Sequence, residues 1–345
     1  MISFYSTQHA GHAPACEIFR GERVPCFETP ARAELVRAEL ERRGHRLLVP
    51  DADSSVTLSS VHDRRYLDFL ASAWTEWQAL AEGNEARQPF PAVWPIRSLR
   101  SDEEPRNFIA RLGLYSMDSG TPISAGTWSA AKSGADAAQS AAIRLVQGAR
   151  GVFCATRPPG HHAGKDFMGG YCFLNNAAVA AEALLASGAS RVAILDLDYH
   201  HGNGTQSLFY ERADVFFASL HGDPRTEYPF YLGHADETGR GEGLGFNLNL
   251  PLPAGCAREL WFEALAEALR RLGGFRPDAL VVSLGLDTCA NDPISTFSLR
   301  TDDYCRVGAL IGYFGRPAIF VLEGGYAVAD LGVNAVNVLE GFEQV

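Results

Sequence analysis

Three short stretches of this chain bring together residue types that can hold a divalent cation and move protons. In Val192-Ala-Ile-Leu-Asp-Leu-Asp-Tyr-His-His-Gly202 an apolar run delivers Asp196, Asp198 and His200 at alternate positions. Extended side chains alternate between faces, so these three point one way while the strand lasts. Asp198 and His200 offer a carboxylate oxygen and an imidazole nitrogen. A catalytic zinc site takes three protein ligands and keeps a position open, so a third donor is required. Asp287 supplies it, at the end of Ala279-Leu-Val-Val-Ser-Leu-Gly-Leu-Asp287 and 87 residues beyond His200. An Asp/His/Asp set is harder than a thiolate set and suits Zn²⁺ and Fe²⁺ alike. An isolated Asp at a strand end is more often a helix cap or a turn former. The D-x-D-x-H-H-G pattern is harder to dismiss, because burying so much charge is costly unless something pairs it.

The second stretch is Arg157-Pro-Pro-Gly-His-His-Ala163, which follows the strand-like run Gly151–Ala155. Its prolines and glycine make a rigid turn that aims His161 and His162 at one region. Adjacent histidines are tuned apart when their partners differ. Asp196 is placed to favour the charged form of one, and Asn203 to hold the other neutral. The third stretch, Leu322-Glu-Gly-Gly-Tyr326, ends another apolar run. Two glycines permit close backbone approach and would deliver the Tyr326 hydroxyl beside the metal, where a phenol suits stabilisation of an oxyanion. Together these groups describe amide hydrolysis: a Lewis acid for carbonyl and water, a histidine that takes and returns a proton, and a tyrosine sharing the oxyanion charge.

These residues need elements to position them. Candidate strands are 2–6, 46–49, 151–155, 192–198, 215–220, 246–250, 279–286 and 318–322, most of them continuous runs of Val, Ile, Leu and Phe. Such runs suit parallel strands covered on both faces. Helical patterns lie between them at 31–43, 63–81, 127–147, 177–186, 258–272, 302–314 and 328–339. The alternation predicts an α/β fold: three layers, a mostly parallel sheet of about eight strands, and helices on both faces. No repeat or low-complexity linker divides the chain, so residues 1–345 read as one domain. The segment from about 83 to 125 breaks the rhythm with five prolines. A stretch this long in a compact domain is usually a lid, a binding loop or an oligomer contact. Trp94, Ile96, Phe108 and Tyr115 give it apolar groups to bury.

The 345 residues carry 30 Lys and Arg against 41 Asp and Glu, a formal net charge of −11. That balance argues against a nucleic-acid binder and against docking on anionic membrane, and it favours a cationic substrate. No apolar run reaches the ~18 residues of a membrane span. The seven cysteines are odd in number and show no C-x-x-C spacing, so neither a disulfide framework nor a cysteine-based zinc site is expected. With no basic-then-apolar leader at the N-terminus, a cytoplasmic location is expected.

The motifs, taken in order, resemble the zinc-dependent histone deacetylase superfamily with the arginase–deacetylase fold, and within it the bacterial acetylpolyamine amidohydrolases. The match rests on Arg157–Gly164, Gly169-Gly-Tyr-Cys-Phe-Leu-Asn-Asn176, Asp196–Gln206, Phe216-Phe-Ala-Ser-Leu-His-Gly-Asp-Pro224, Ser283–Asp287, Asp292-Pro-Ile-Ser295 and Glu323-Gly-Gly-Tyr326. The resemblance implies Asp198, His200 and Asp287 as zinc ligands and His162 as general base and acid. It implies His161 with Asp196 as the electrostatic partner, and Tyr326 as the group polarising the carbonyl. Asn203 stands where many relatives place an Asp, so the pKa pattern of the histidine pair is expected to differ. Tyr171, with Gly170 beside it, and Tyr228 match the channel walls, where many relatives have Phe.

The resemblance also implies two structural potassium sites. One involves Asp196, Asp198, His200, Ser219 and Leu220; the other involves Phe209, Arg212, Val215 and Phe246. In the polyamine group the N-terminal and proline-rich insertions pair across a homodimer and narrow the channel. Glu17 and the 83–125 segment occupy those places, and Glu17 and Asp118 are expected at the rim to attract a substrate ammonium. The segment carrying Trp94 and Phe108 has no evident core of its own to join, so it is expected to pack on a second subunit. The expected reaction is hydrolysis of acetylated polyamines or similar small cationic amines. Acetyl-lysine in proteins is the alternative substrate, decided by the channel rim. A binuclear ureohydrolase would need a D-x-D pair at Asp287, where Thr288-Cys289 follows instead. A non-catalytic acetyl-amide binder would not need His162 and Tyr326.

Overall fold

The computed structural model describes residues 1–96, 100 and 102–345. Its strands are β1 (Ile2–Phe4), β2 (Glu17–Phe19), β3 (Glu22–Val24), β4 (Arg46–Leu48), β5 (Gly151–Cys154), β6 (Val192–Asp196), β7 (Val215–Gly222), β8 (Asn247–Leu252), β9 (Ala279–Leu284) and β10 (Ala318–Leu322). Its α-helices are α1 (Ala31–Arg42), α2 (Ser55–Val61), α3 (Arg64–Leu80), α4 (Phe108–Leu114), α5 (Thr127–Val146), α6 (Asn176–Ala186), α7 (Asn203–Phe209), α8 (Arg258–Phe275), α9 (Thr301–Tyr313) and α10 (Val328–Glu343). Eight strands form one sheet in the order β4-β1-β5-β10-β9-β6-β7-β8, with every neighbouring pair parallel. The sheet is thus wholly parallel, a step beyond the mostly parallel one expected. β2 and β3 form a separate antiparallel hairpin.

Alternation along the strands feeds two cores. Val192, Ile194, Val281 and Ile319 face a layer built on α3, α5 and α6. Ala193, Leu195, Val282 and Phe320 face the opposite layer, built on α1, α8, α9 and α10. Burial on both faces is why these strands read as continuous apolar runs. The chain runs outward from β6 through β7 to the edge strand β8, then returns to insert β9 and β10 between β6 and β5. The four central strands therefore deliver their C-terminal loops side by side, where open α/β sheets place their sites.

Within the segment expected at 83–125, residues 97–99 and 101 lie outside the described residues. Part of the expectation for it is overturned. Phe108 and Leu112 on α4 and Tyr115 at its C-terminal cap, three to four residues apart, join the chain's own core. Phe108 packs on Trp77 and Tyr115 on Phe69, with ring centroids 5.8 and 5.0 Å apart. The chain crosses α4 at Gly113, where a Cβ would lie 1.6 Å from the Val93 carbonyl oxygen. Among the described residues of the segment, Trp94 and Ile96 stay 40% and 59% exposed and lie outside that core.

Candidate active site

The loops after β5, β6, β9 and β10 meet over the middle of the sheet. After β6 the chain leaves extended geometry at once and folds back on its own carboxylates. The Asp198 N–H donates to Asp196 Oδ1 at 3.1 Å, the His200 N–H to Asp198 Oδ1 at 3.0 Å, and the Tyr199 N–H to Asp287 Oδ1 at 2.8 Å. Asp198, His200 and Asp287 converge so that their donor atoms lie within 4.8 Å of one another. His200 turns Nδ1 into the group, 3.3 Å from Asp198 Oδ1 and 3.0 Å from Asp287 Oδ2.

The electrostatics of this group call for a cation. Burial first, and Asp198 second, hold the Asp287 carboxyl well above the ordinary carboxylate range. Burial works to lower His200, but Asp198 and Asp287 outweigh it and raise it to about 10. Two buried carboxylates facing one imidazole are the hard donor set that Zn²⁺ or Fe²⁺ accepts, so the residues fit a divalent ion. Space around them is reserved by glycine. A Cβ on Gly324 would come within 2.6 Å of Asp198 Oδ2 and 2.8 Å of Asp287 Oδ2. A second convergence, His161 with Cys172 and Glu323, does not fit a metal: His161 is committed to Asp196, and burial pushes the Cys172 thiol well up.

The two histidines sit with ring centroids 4.0 Å apart and are pushed in opposite directions. His161 Nδ1 lies 3.1 Å from Asp196 Oδ2. Burial opposes its charge, but Asp198 and Asp196 outweigh it and raise His161 to about 10. His162 is held well below its ordinary value by burial, then by the charges of His161 and His200. Its Nδ1 lies 2.7 Å from Asn203 Oδ1. A carbonyl oxygen only accepts, so Nδ1 carries the hydrogen and Nε2 keeps its lone pair. Asn203→Asp would place a negative charge at that contact, raise the His162 pKa and deplete the base form at low pH. The acid limb of the kcat/KM profile is expected to move to higher pH in this variant. An unmoved limb would show that the contact does not set the basicity of His162.

Tyr326 is buried beside the candidate metal ligands, its main chain fixed by Asp292 Oδ2, which accepts the Tyr326 N–H at 2.6 Å. The ring of Tyr171 packs edge-on to it at 5.6 Å. These groups line a cavity of about 640 Å³ together with Tyr228, Phe167, Met117, Asp118 and Ile294. Gly170 holds a positive φ of 51°. A Cβ there would strike His162 Cδ2 at 2.2 Å, so Gly170 lets the channel wall approach the histidine.

The histone deacetylase domain matches residues 26–342. The chain belongs to the histone deacetylase family. It is 50% identical to acetylpolyamine amidohydrolase 2 of Pseudomonas aeruginosa, over all of this chain and 99% of that one. It is 46% identical to the acetylpolyamine amidohydrolase of Mycoplana ramosa, over 99% of both chains. The crystal structure of an acetylpolyamine aminohydrolase from Burkholderia pseudomallei superposes with a TM-score of 0.94 at 39% identity, covering 99% of this chain and 98% of that one. Members of the family are metal-dependent deacetylases, and the fold described above is theirs.

Within this deacetylase the structure places the remaining expected residues unevenly. Asp118 lines the cavity. Glu17, expected at the rim, is instead 1% exposed and lies behind Tyr171, whose hydroxyl donates to Glu17 Oε1 at 2.8 Å. The β2–β3 hairpin that carries Glu17 is anchored from behind by Gln88, whose Oε1 accepts the N–H groups of Ala15 and Cys16. Asp196 and Ser219 are direct neighbours in the β6–β7 register, with Leu220 next to Ser219. Phe209 and Arg212 close the end of α7 near Val215, and the Phe246 carbonyl accepts the Phe217 N–H at 3.0 Å.

Sequence reasoning missed a buried layer behind the tyrosine. Arg32 is fully buried and donates to the carbonyls of Gly325 and Glu323 at 2.7 and 2.5 Å. Its guanidinium stacks over the Tyr326 ring at 4.8 Å. Glu28 neutralises it at 2.7 Å and also pairs with the buried Arg157 at 2.9 Å. Glu323 Oε2 accepts the N–H groups of Gly160 and His161 at 2.6 and 3.1 Å, tying the histidine loop to the tyrosine loop.

Proposed function

We propose that this chain hydrolyses the acetyl amide of acetylated polyamines or similar small cationic amines, releasing acetate and the free amine. The observation that carries this reading is the opposed histidine pair beside Asp198, His200, Asp287 and Tyr326, at the floor of a channel walled by Tyr171 and Tyr228. The full-length similarity to acetylpolyamine amidohydrolases supports the substrate class.

Asp198, His200 and Asp287 would hold a Zn²⁺ or Fe²⁺ ion, which would supply Lewis acidity toward the amide carbonyl and water. His162 accepts the proton of the attacking water at Nε2 and returns it to the departing nitrogen. The fixed charge of His161, paired with Asp196, keeps His162 basic only weakly, so the proton is given up readily. The Tyr326 hydroxyl donates to the oxyanion, and Arg32 holds the ring that carries it. The rings of Tyr171 and Tyr228 hold the alkyl chain of the amine and exclude water.

Potassium is proposed at Asp196, Asp198, His200, Ser219 and Leu220, and at Phe209, Arg212, Val215 and Phe246, supported by the clustering of these positions. Residues 1–345 are proposed to act as one deacetylase domain, supported by a sheet that draws strands from both ends of the chain. A homodimer is proposed through the 83–125 segment, supported by the exposed Val93, Trp94 and Ile96. A cytoplasmic setting is supported by seven free cysteines. Among the described residues no helix is long and apolar enough to cross a membrane.

The test is acetate release from acetylputrescine and acetylcadaverine compared with acetyl-lysine peptides and folded acetylated proteins. Efficient turnover of the small amines is expected. Turnover confined to proteins would overturn the substrate class, and no acetate from any of them would overturn the reaction.

A further inference from the structure

Besides the ligand candidates Asp198 and Asp287, three carboxylates stand near the channel, and they differ in what they are free to meet. Glu17 is buried, accepts the Tyr171 hydroxyl and the Phe27 N–H, and does not line the cavity. Asp118 lines it, but both oxygens are occupied. Oδ1 accepts the Gly120 N–H at 3.0 Å and the Thr121 hydroxyl at 3.1 Å. Oδ2 accepts the Gly170 N–H and the Tyr228 hydroxyl, both at 2.7 Å. A carboxylate offers about four lone-pair sites, so Asp118 is saturated by the two channel walls it joins.

Glu227 is different. It lines the same cavity as His162, His200 and Tyr326 and is half-buried. Among the described residues it takes part in no ion pair, and its carboxylate meets one side-chain donor, the Tyr199 hydroxyl, which leaves lone-pair sites open. The neighbouring Arg225 turns away, its Nε donating to Asp223 at 2.9 and 3.0 Å. Arg20, the one Lys or Arg among the residues lining the cavity, is exposed and stacks on Phe19 at 5.1 Å. The stem of Glu227 is backed by Gly222 at the end of β7, where a Cβ would come within 3.0 Å of Glu227 Cγ and 2.9 Å of the Tyr199 ring. Tyr199 lies between the ligand candidates Asp198 and His200, so Glu227 belongs to the wall that carries them. Phe230 and Tyr231 follow it along the cavity lining, and aromatic faces attract a cation.

We propose that Glu227 is the specificity-determining residue that receives the distal ammonium of the substrate, and that Asp118 is a positioning residue holding the channel walls. This rests on the hydrolysis of acetylated amines proposed above. Substrates carrying a second amine gain an ion pair at Glu227; neutral amides of equal length do not.

The experiment compares N-acetylcadaverine with N-pentylacetamide, which differ in the terminal ammonium. Glu227→Gln is expected to lower the cationic-to-neutral ratio of kcat/KM by about five- to tenfold, mainly through KM, as befits a part-buried charged contact. Asp118→Ala is expected to lower kcat for both amides together and leave the ratio within about twofold, because it loosens walls that both use. Glu227→Lys supplies an independent arm: it is expected to shift preference from N-acetylcadaverine toward N-acetyl-6-aminohexanoate, whose distal group is a carboxylate. A ratio unmoved by Glu227→Gln, or one that falls only in Asp118→Ala, overturns the inference while leaving the reaction standing. Wild-type protein that hydrolyses neither amide overturns the proposed reaction and the inference with it.

Discussion

Asp287→Ala is expected to abolish turnover and to release the metal while the sheet stays folded. Asp287 follows the C-terminal end of β9 and faces His200 Nδ1 at 3.0 Å, so its loss removes one of three donors outright. Loss of an outer partner of a metal ligand typically costs about 10–100-fold; loss of the ligand itself should exceed that. Burial and Asp198 already disfavour the ionised form of Asp287. The metal-free variant should therefore keep its far-ultraviolet circular dichroism and a Tm no lower than that of metal-free wild type. Elemental analysis showing near-stoichiometric metal in an active Asp287→Ala protein would remove Asp287 from the site.

His162→Ala should lower kcat at least as far as Tyr326→Phe, and both should retain metal. Removing one oxyanion donor costs about 10²–10³ in turnover, and Tyr326→Phe deletes only the hydroxyl, leaving the ring under Arg32. His162→Ala removes the group that takes and returns the proton, with no neighbour able to replace it. His161 is committed to Asp196 through Nδ1 at 3.1 Å, and Asp198 and Asp196 favour its charged form. Single-turnover rates together with metal content would separate these roles. Turnover within twofold of wild type in either variant would rule out the mechanism.

Much of this arrangement was legible from local pattern. Doubly covered strands such as β6, β9 and β10 carry continuous apolar runs, and each ends in the polar residues that build the site. The β2–β3 hairpin was not legible, because Glu17-Ile-Phe-Arg-Gly-Glu-Arg-Val24 is short, charged and outside the main sheet. The seven-residue helices α2 and α4 are too short for a helical period to show, and α7 was absorbed into the metal motif. Arg32 gave no signal at all. On α1 it reads as an ordinary polar position, and its partners Glu323 and Gly325 lie 291 and 293 residues away. Glu17 was found by position in the chain, but its burial behind Tyr171 depends on a tertiary fold that periodicity does not encode. Its neighbour in that reading, Phe108, was assigned to a second subunit because α3, which receives it, is distant in sequence.

The order in which the strands lie in the sheet also bears on when the enzyme can exist. β9 and β10, made late, occupy the gap between β5 and β6, made much earlier. A nascent chain that has emerged only as far as β8 holds two separate half-sheets whose inner edges are unpaired. It has both histidines, Asp198 and His200, but neither Asp287 nor Tyr326. Pairings of such long sequence separation form slowly. A chain interrupted before β9 therefore cannot be a weak version of the enzyme: catalytic competence arrives only with the closing strands.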